Sequence, residues 1–229
     1  MAGEIKFIVD NLEFIISVIV VGILAPSIGW LWHRNNKLKT YYEVMWRKSS
    51  SLSPVEALGL RGESKFGYKP YFFDRSEIGQ IKERIEKNEN VLVIGDPLSG
   101  KSRAIYEALL RLNRPADVSK LRPIEITLEE FKFSIHWAWW RKKVLFLDDI
   151  DKFLVNQHFN ILLNEKLLRN GVQIVATCWS GQEYDKLCNT LNRDITSIFG
   201  KPIEMPKVSK KEAERISKGA GIDLTESFE

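Results

Sequence analysis

Apolar positions along the chain fall into distinct patterns, and the order of those patterns predicts the architecture. The first is an uncharged run from Phe14 to Trp32 (FIISVIVVGILAPSIGWLW), long enough as a helix to cross about 30 Å of hydrocarbon. Beyond it, short β-branched runs alternate with segments whose apolar residues recur at helical spacing. Val91–Ile94 and Val144–Leu147 read as central parallel strands buried on both faces. Pro123–Ile126 is the strand expected before the second run, Val172–Ala176 the strand after it, and Pro202–Met205 a short edge. Arg103 to Leu112 carries Ala104, Ala108, Leu109 and Leu112 at helical spacing. Asn156 to Arg169 places Phe159, Leu162, Leu163 and Leu167 on one face and stops at Asn170-Gly171. Thr127-Leu128-Glu129-Glu130 has the spacing of a capping box. The helix after it sets Leu128, Phe131, Ile135 and Ala138 on one face and Phe133, Trp137 and Trp140 on another, a second stripe that either docks a partner or packs under loops of the same domain. This alternation predicts an α/β fold with right-handed crossovers and a ligand at the carboxyl ends of a parallel sheet.

Charge around the first run gives it a direction. Glu4, Lys6, Asp10 and Glu13 precede it, net negative, and Arg34, Lys37, Lys39, Arg47 and Lys48 follow it. The positive-inside rule then predicts a single-pass membrane protein, with residues 1–13 outside, 14–32 spanning the lipid bilayer and the rest cytosolic. Pro26 predicts a modest kink, and Trp30 and Trp32 an interfacial belt. A cleaved signal peptide would need a basic n-region, a shorter apolar stretch and a small-x-small site after it, and here the n-region is missing, the stretch is too long and no such site follows. Residues 33–67 read as a basic juxtamembrane stalk and linker, with Ser49–Pro54 as a flexible joint, 68–206 as the globular core, and 207–229 as the start of a helical lid or winged-helix region.

Composition narrows the function. A chain of 229 residues, 44% hydrophobic, supports one ordinary core and a short appendage. Lys and Arg exceed Asp and Glu by only 34 to 30, too little to imply nucleic acid, and Arg141, Lys142 and Lys143 read as a solvated edge. Cys178 and Cys188 form no CxxC pair, which argues against a disulfide framework or a zinc site and fits a reducing compartment. His33, His136 and His158 are scattered and carry no assigned chemistry.

The chemistry sits at the ends of the apolar runs. Directly after Val91–Ile94 comes Gly95-Asp96-Pro97-Leu98-Ser99-Gly100-Lys101-Ser102, a full match to G-x-x-x-x-G-K-[ST]. Gly95 and Gly100 allow successive N–H groups to turn inward around phosphates, Lys101 supplies a cation for the β and γ oxygens, and Ser102 offers a hydroxyl to Mg²⁺. Arg103 opens the helix whose N-terminus faces those phosphates. The second run ends on Asp148-Asp149, a strand-then-acid arrangement in which Asp148 holds the Mg²⁺ shell and Asp149 orients or deprotonates the attacking water.

Together these residues resemble the ASCE division of P-loop NTPases, and within it the AAA+ and STAND families, over roughly Tyr68 to Ile222. The resemblance implies a Rossmann-like three-layer α/β/α domain binding ATP and Mg²⁺. Tyr71–Glu77 looks like the segment that covers adenine, Leu147–Phe153 like the acidic motif, and Thr177 matches the polar sensor that reads the γ-phosphate. Ser209-Lys210-Lys211-Glu212 has capping-box spacing and looks like the start of the lid. Trp179 stands where STAND proteins often carry Arg, and Arg193 lies where an arginine finger would project. The sequence stops at Glu229 as a lid would develop, so either the chain is a fragment or a partner supplies that part. GTPase signatures, DxxG after the acidic strand and NKxD, are missing, which favours adenine. The implied function is a membrane-anchored, slowly hydrolysing STAND-like switch that self-associates or engages an effector. Alternatives are an AAA+-type ring motor and a nucleotide-dependent structural module.

Overall fold

The computed structural model describes residues 21–22, 25–38, 40–58, 75–123, 140–155, 159, 163, 171–190 and 195–220. The chain divides into two units, Met1–Thr40 and Tyr41–Glu229.

In the first unit the described element is helix α1, Ala25–Leu38. Pro26 falls in its first turn, where a missing N–H costs no hydrogen bond. Ile28, Trp30 and Trp32 are exposed along it. Among the described residues no helix is long and apolar enough to cross a membrane. Residues 14–20 and 23–24, which make up much of the apolar run, lie outside the described residues.

The second unit is built on a mostly parallel sheet. Its described strands are β1 (Tyr42–Lys48), β2 (Val91–Gly95), β3 (Asp117–Leu121), β4 (Lys143–Leu147), β5 (Gln173–Trp179) and β6 (Ile203–Met205), in the spatial order β1-β3-β4-β5-β2-β6. All neighbours run parallel except β1, which pairs antiparallel with β3. The described helices of this unit are α2 (Pro54–Leu58), α3 (Ser76–Glu86), α4 (Lys101–Leu110), α5 (Gln182–Thr190), α6 (Ile195–Phe199) and α7 (Lys210–Ala220). Ile78, Ile81 and Ile85 of α3 and Ala104, Ile105, Ala108 and Leu109 of α4 join Val91, Val93, Val144, Phe146 and Val175 in one buried cluster. The strand residues of opposite parity, Leu92, Leu145, Leu147, Ile174 and Ala176, are buried as well. Burial on both faces is why β2 and β4 read as unbroken apolar runs rather than alternating ones.

One expectation is corrected here, and one strand is added. Residues 42–58, expected within a stalk and flexible joint, belong to the globular unit. Tyr42 and Val44 are buried, and the Ser49 amide donates to Ala116 O at 2.7 Å. The serines are anchors: Ser53 Oγ accepts the Glu56 amide at 3.2 Å and donates to Glu56 Oε2 at 2.8 Å, an N-cap at the start of α2. A bulge around Trp46, whose φ is 22°, breaks the alternation of β1 and hides it from a pattern search. The described strand before β4 is Asp117–Leu121; of the expected strand Pro123–Ile126, residues 124–126 lie outside the described residues. Its polar side chains are paired: Ser119 Oγ donates to Val44 O at 2.9 Å, and Arg141 Nη1 meets Asp117 Oδ1 at 3.2 Å. The aromatic helix expected after Thr127 lies outside the described residues apart from Trp140, which is exposed. The helix expected over 156–169 is described only at Phe159 and Leu163, both buried.

Candidate functional site

The site forms where three strands end together. The register pairs Gly95 of β2 with Trp179 of β5, and Leu147 of β4 with Ala176 of β5. The loop after β2, the acids after β4 and Thr177 of β5 therefore share the carboxyl edge of the sheet. β5 lies between the loop strand and the acidic strand, so its side chains reach both.

Backbone geometry explains the loop's fixed residues. A Cβ on Gly95 would stand 2.8 Å from Met205 O and 2.9 Å from Ser99 Oγ, closer than atoms pack. Gly100 has φ 90° and is the N-cap of α4, so the chain enters the helix through a left-handed turn. Leu98 is also left-handed, at φ 62°, and is 95% exposed at the loop's tip. Pro97 precedes it in the same turn, and the Ser99 amide closes that turn onto Asp96 O at 3.2 Å.

Lys101 is buried and its ammonium lies inside the loop, donating to Gly95 O at 2.9 Å and Asp96 O at 2.8 Å. Burial pulls its pKa below the ordinary lysine range, opposed by the nearby charges of Asp149, Asp148 and Asp151. The Asp96 carboxylate is held from outside the loop: Ser180 Oγ donates to its Oδ1 at 2.5 Å and Lys207 Nζ lies 2.9 Å from its Oδ2. Those two bonds, Ser180 first, hold its carboxyl below the usual range.

The acids are held by a short network. Ser102 Oγ donates to Asp148 Oδ1 at 2.6 Å, and Thr177 Oγ1 donates to the same oxygen at 2.9 Å. The Asp149 amide donates to Thr177 Oγ1 at 2.7 Å. Asp149 sits at φ 54°, and its Oδ2 receives Lys152 Nζ at 2.6 Å. That bond raises the Lys152 pKa.

Sequence reasoning found the loop, the acids and Thr177, and the structure brings them together. Arg103 faces elsewhere: its Nη2 pairs with Glu107 Oε1 at 2.6 Å and its guanidinium lies 5.6 Å from the Tyr106 ring centre, along the helix surface. Residues 71–74 and Arg193 lie outside the described residues. Two contributors were missed. Lys120 of β3 lies 3.2 Å from Asp148 Oδ2, and no motif announces a lysine in a buried strand. Arg75 Nη1 donates to Ser99 O at 2.9 Å and to Pro206 O at 3.1 Å, while its Nε donates to Glu212 Oε1 at 3.2 Å, joining loop and α7. Glu212 also accepts the Ser209 amide at 2.7 Å and returns its own amide to Ser209 Oγ at 3.3 Å, so the predicted capping box is formed.

The donor set suits a nucleoside triphosphate with Mg²⁺. A hydroxyl and a carboxylate oxygen 2.6 Å apart are hard ligands of the kind that leave most of a Mg²⁺ shell to water and phosphate. Ser99 Oγ is buried within the loop without a hydrogen-bond partner, an orphaned group that an anion would satisfy.

No protein-family model matches this sequence, and no curated protein matches it. Among solved structures it is similar to the closed-state cryo-EM reconstruction of Hsp104 with ATPγS and FITC-casein. That likeness has a TM-score of 0.55 and 18% identity and covers 80% of this chain and 33% of that one. The crystal structure of NtrX from Brucella abortus in complex with ATP is similar at a TM-score of 0.40 and 16% identity, covering 72% of this chain and 46% of that one. This chain thus spans about a third of the Hsp104 chain. With the strand order and the loop geometry, the Hsp104 likeness shows the fold, that of an AAA+-like P-loop NTPase.

Proposed function

We propose that this chain is a membrane-anchored, Mg-ATP-binding P-loop NTPase of STAND-like character that hydrolyses slowly and acts as a signalling switch. The observation that carries the reading is the convergence of Ser102 and Thr177 on Asp148 Oδ1, beside a loop whose lysine is already inside it. In this reading the amides of residues 95–102 cradle the phosphates, Lys101 leaves the loop carbonyls for the phosphate oxygens, and Ser102 and Asp148 hold Mg²⁺. Bound Mg²⁺ neutralises phosphate charge. Asp149 orients the attacking water, and Thr177 fixes both acids relative to the loop.

Adenine is favoured by the missing guanine-reading motifs, and ATPγS in the Hsp104 structure is in keeping with that choice. The anchor rests on the uncharged run 14–32 and its flanking charges, which put the N-terminus outside and the NTPase unit in the cytosol. Exposed Ile28, Trp30 and Trp32 suit a lipid interface. Arg75 and Lys207 tie the loop to the start of α7, a direct route from nucleotide to a lid and from there to a second copy or an effector.

Equilibrium titration with a fluorescent ATP analogue tests the site: Lys101→Ala abolishes binding, and micromolar affinity in that variant overturns the assignment. Single-turnover hydrolysis with Asp149→Asn tests the chemistry, since an unchanged rate removes Asp149 from catalysis. Rapid steady-state turnover would favour a motor over a switch.

A further inference from the structure

Lys120 is a charged residue of the site that the phosphate-loop and acidic motifs leave unexplained. It lies on β3, whose residues are all buried, and is itself 5% exposed. Its ammonium donates to Ala57 O at 3.1 Å and pairs with Glu43 Oε2 at 2.8 Å and Asp148 Oδ2 at 3.2 Å. It also lies 5.4 Å from the centre of the Phe146 ring. A buried lysine persists only when its charge is compensated, and here one carbonyl and two carboxylates surround the ammonium. Asp148 is correspondingly engaged at both oxygens, by the hydroxyls of Ser102 and Thr177 at Oδ1 and by Lys120 at Oδ2. One cation is thus divided between two carboxylates, one at the acidic site and one on the antiparallel edge strand.

We propose that Lys120 is an internal counter-cation shared between Asp148 and Glu43, a positioning residue through which edge strand β1 sets how readily the acidic site accepts a divalent cation. The inference rests on Asp148 as a metal-holding group, as given under Proposed function. A cation beside Asp148 opposes the arrival of a second one, and Glu43 weakens that opposition by drawing the ammonium toward β1. β1 opens the second unit directly after residue 40, so the start of the NTPase unit lies within two ion pairs of the acidic site.

The test is the Mg²⁺ concentration that half-saturates binding of a fluorescent ATP analogue to the full chain. Glu43→Gln leaves the ammonium to Asp148 and raises that concentration by about threefold. Lys120→Met keeps the stem, removes the charge and lowers it by a similar factor. In the double variant the Glu43 effect disappears, because its only route runs through Lys120. A packing role moves the single variants in the same direction or not at all, and either result overturns the inference. Glu43 is one-third exposed, so Glu43→Gln carries the test alone if Lys120→Met does not fold, and no upward shift overturns it. Wild-type binding that ignores Mg²⁺ overturns this inference and the role of Asp148 together. Mg²⁺-dependent binding with unmoved variants overturns this inference alone.

Discussion

Ser102 Oγ lies 2.6 Å from Asp148 Oδ1, a hydrogen bond between residues 46 positions apart that joins the start of α4 to the end of β4. In the proposed reading a single Mg²⁺ takes the place of the shared proton. Ser102→Ala is expected to remove the gain in nucleotide affinity that Mg²⁺ provides, a loss of about tenfold, or roughly 1.4 kcal/mol. Titration of the variant in EDTA and in Mg²⁺ measures it. A gain equal to that of the wild type would take Ser102 out of the metal site.

Gly95 and Gly79 predict opposite outcomes for the same substitution. Alanine at 95 meets the Met205 carbonyl at 2.8 Å, a backbone atom that yields only if β6 shifts, at a cost of about 1–3 kcal/mol. Alanine at 79, inside α3 with open space around it, gains about 0.8 kcal/mol of helix propensity. Urea unfolding of both variants gives the two signs. A stable Gly95→Ala variant would contradict the contact with β6.

Asp151 makes a prediction about pH. Burial raises its pKa above the usual carboxylate range, and its Oδ1 is buried without a hydrogen-bond partner. A raised folded-state pKa means that its contribution is favourable below the unfolded pKa and is lost as pH rises through the folded value. Asp151→Asn is therefore expected to raise Tm by about 2 °C at neutral pH, with the advantage fading in acid. Thermal melts at about pH 7.5 and about pH 4, above the carboxylate range and within it, read the difference. An equal gain at both would show that charge is not the cause.

Glu212 titrates in the other sense. The Ser209 amide is the main influence lowering its pKa, followed by the Ser209 hydroxyl and Arg75 against a burial effect that raises it. Its stabilisation is present above the unfolded pKa and lost as pH falls through the folded value. Glu212→Gln should expose the first turn of α7 at neutral pH much as acid does to the wild type. Amide exchange in residues 210–214 reports this, and unchanged protection would refute a coupling of α7 to Arg75.

What could be read from the sequence follows from which residues had alternatives. The phosphate loop was legible because Gly95 and Gly100 answer backbone demands that other residues meet badly. β2 and β4 were legible because burial on both faces leaves only apolar residues. β3 was not, since Asp117, Ser119 and Lys120 are buried through partners up to 77 positions away, Lys120 to Glu43. β1 and Ser49 looked like part of a linker because their bonds run to Ala116 and Ser119 across the sheet, contacts without a local signature. Thr177 could be placed by resemblance, but its bond to Asp148 is a matter of register between β4 and β5.

The contact between Gly95 and Met205 also sets an order of events during synthesis. β6 pairs with β2 across 110 positions, Val93 with Ile203, and of the described strands it is the last to leave the ribosome. Until it arrives, that side of β2 is an open edge and the underside of the phosphate loop has no wall. The nucleotide site is therefore finished late, after the other described strands of the sheet have been made, and a nascent chain that stops short of residue 203 would carry the complete motif in a loop that lacks its wall of β6.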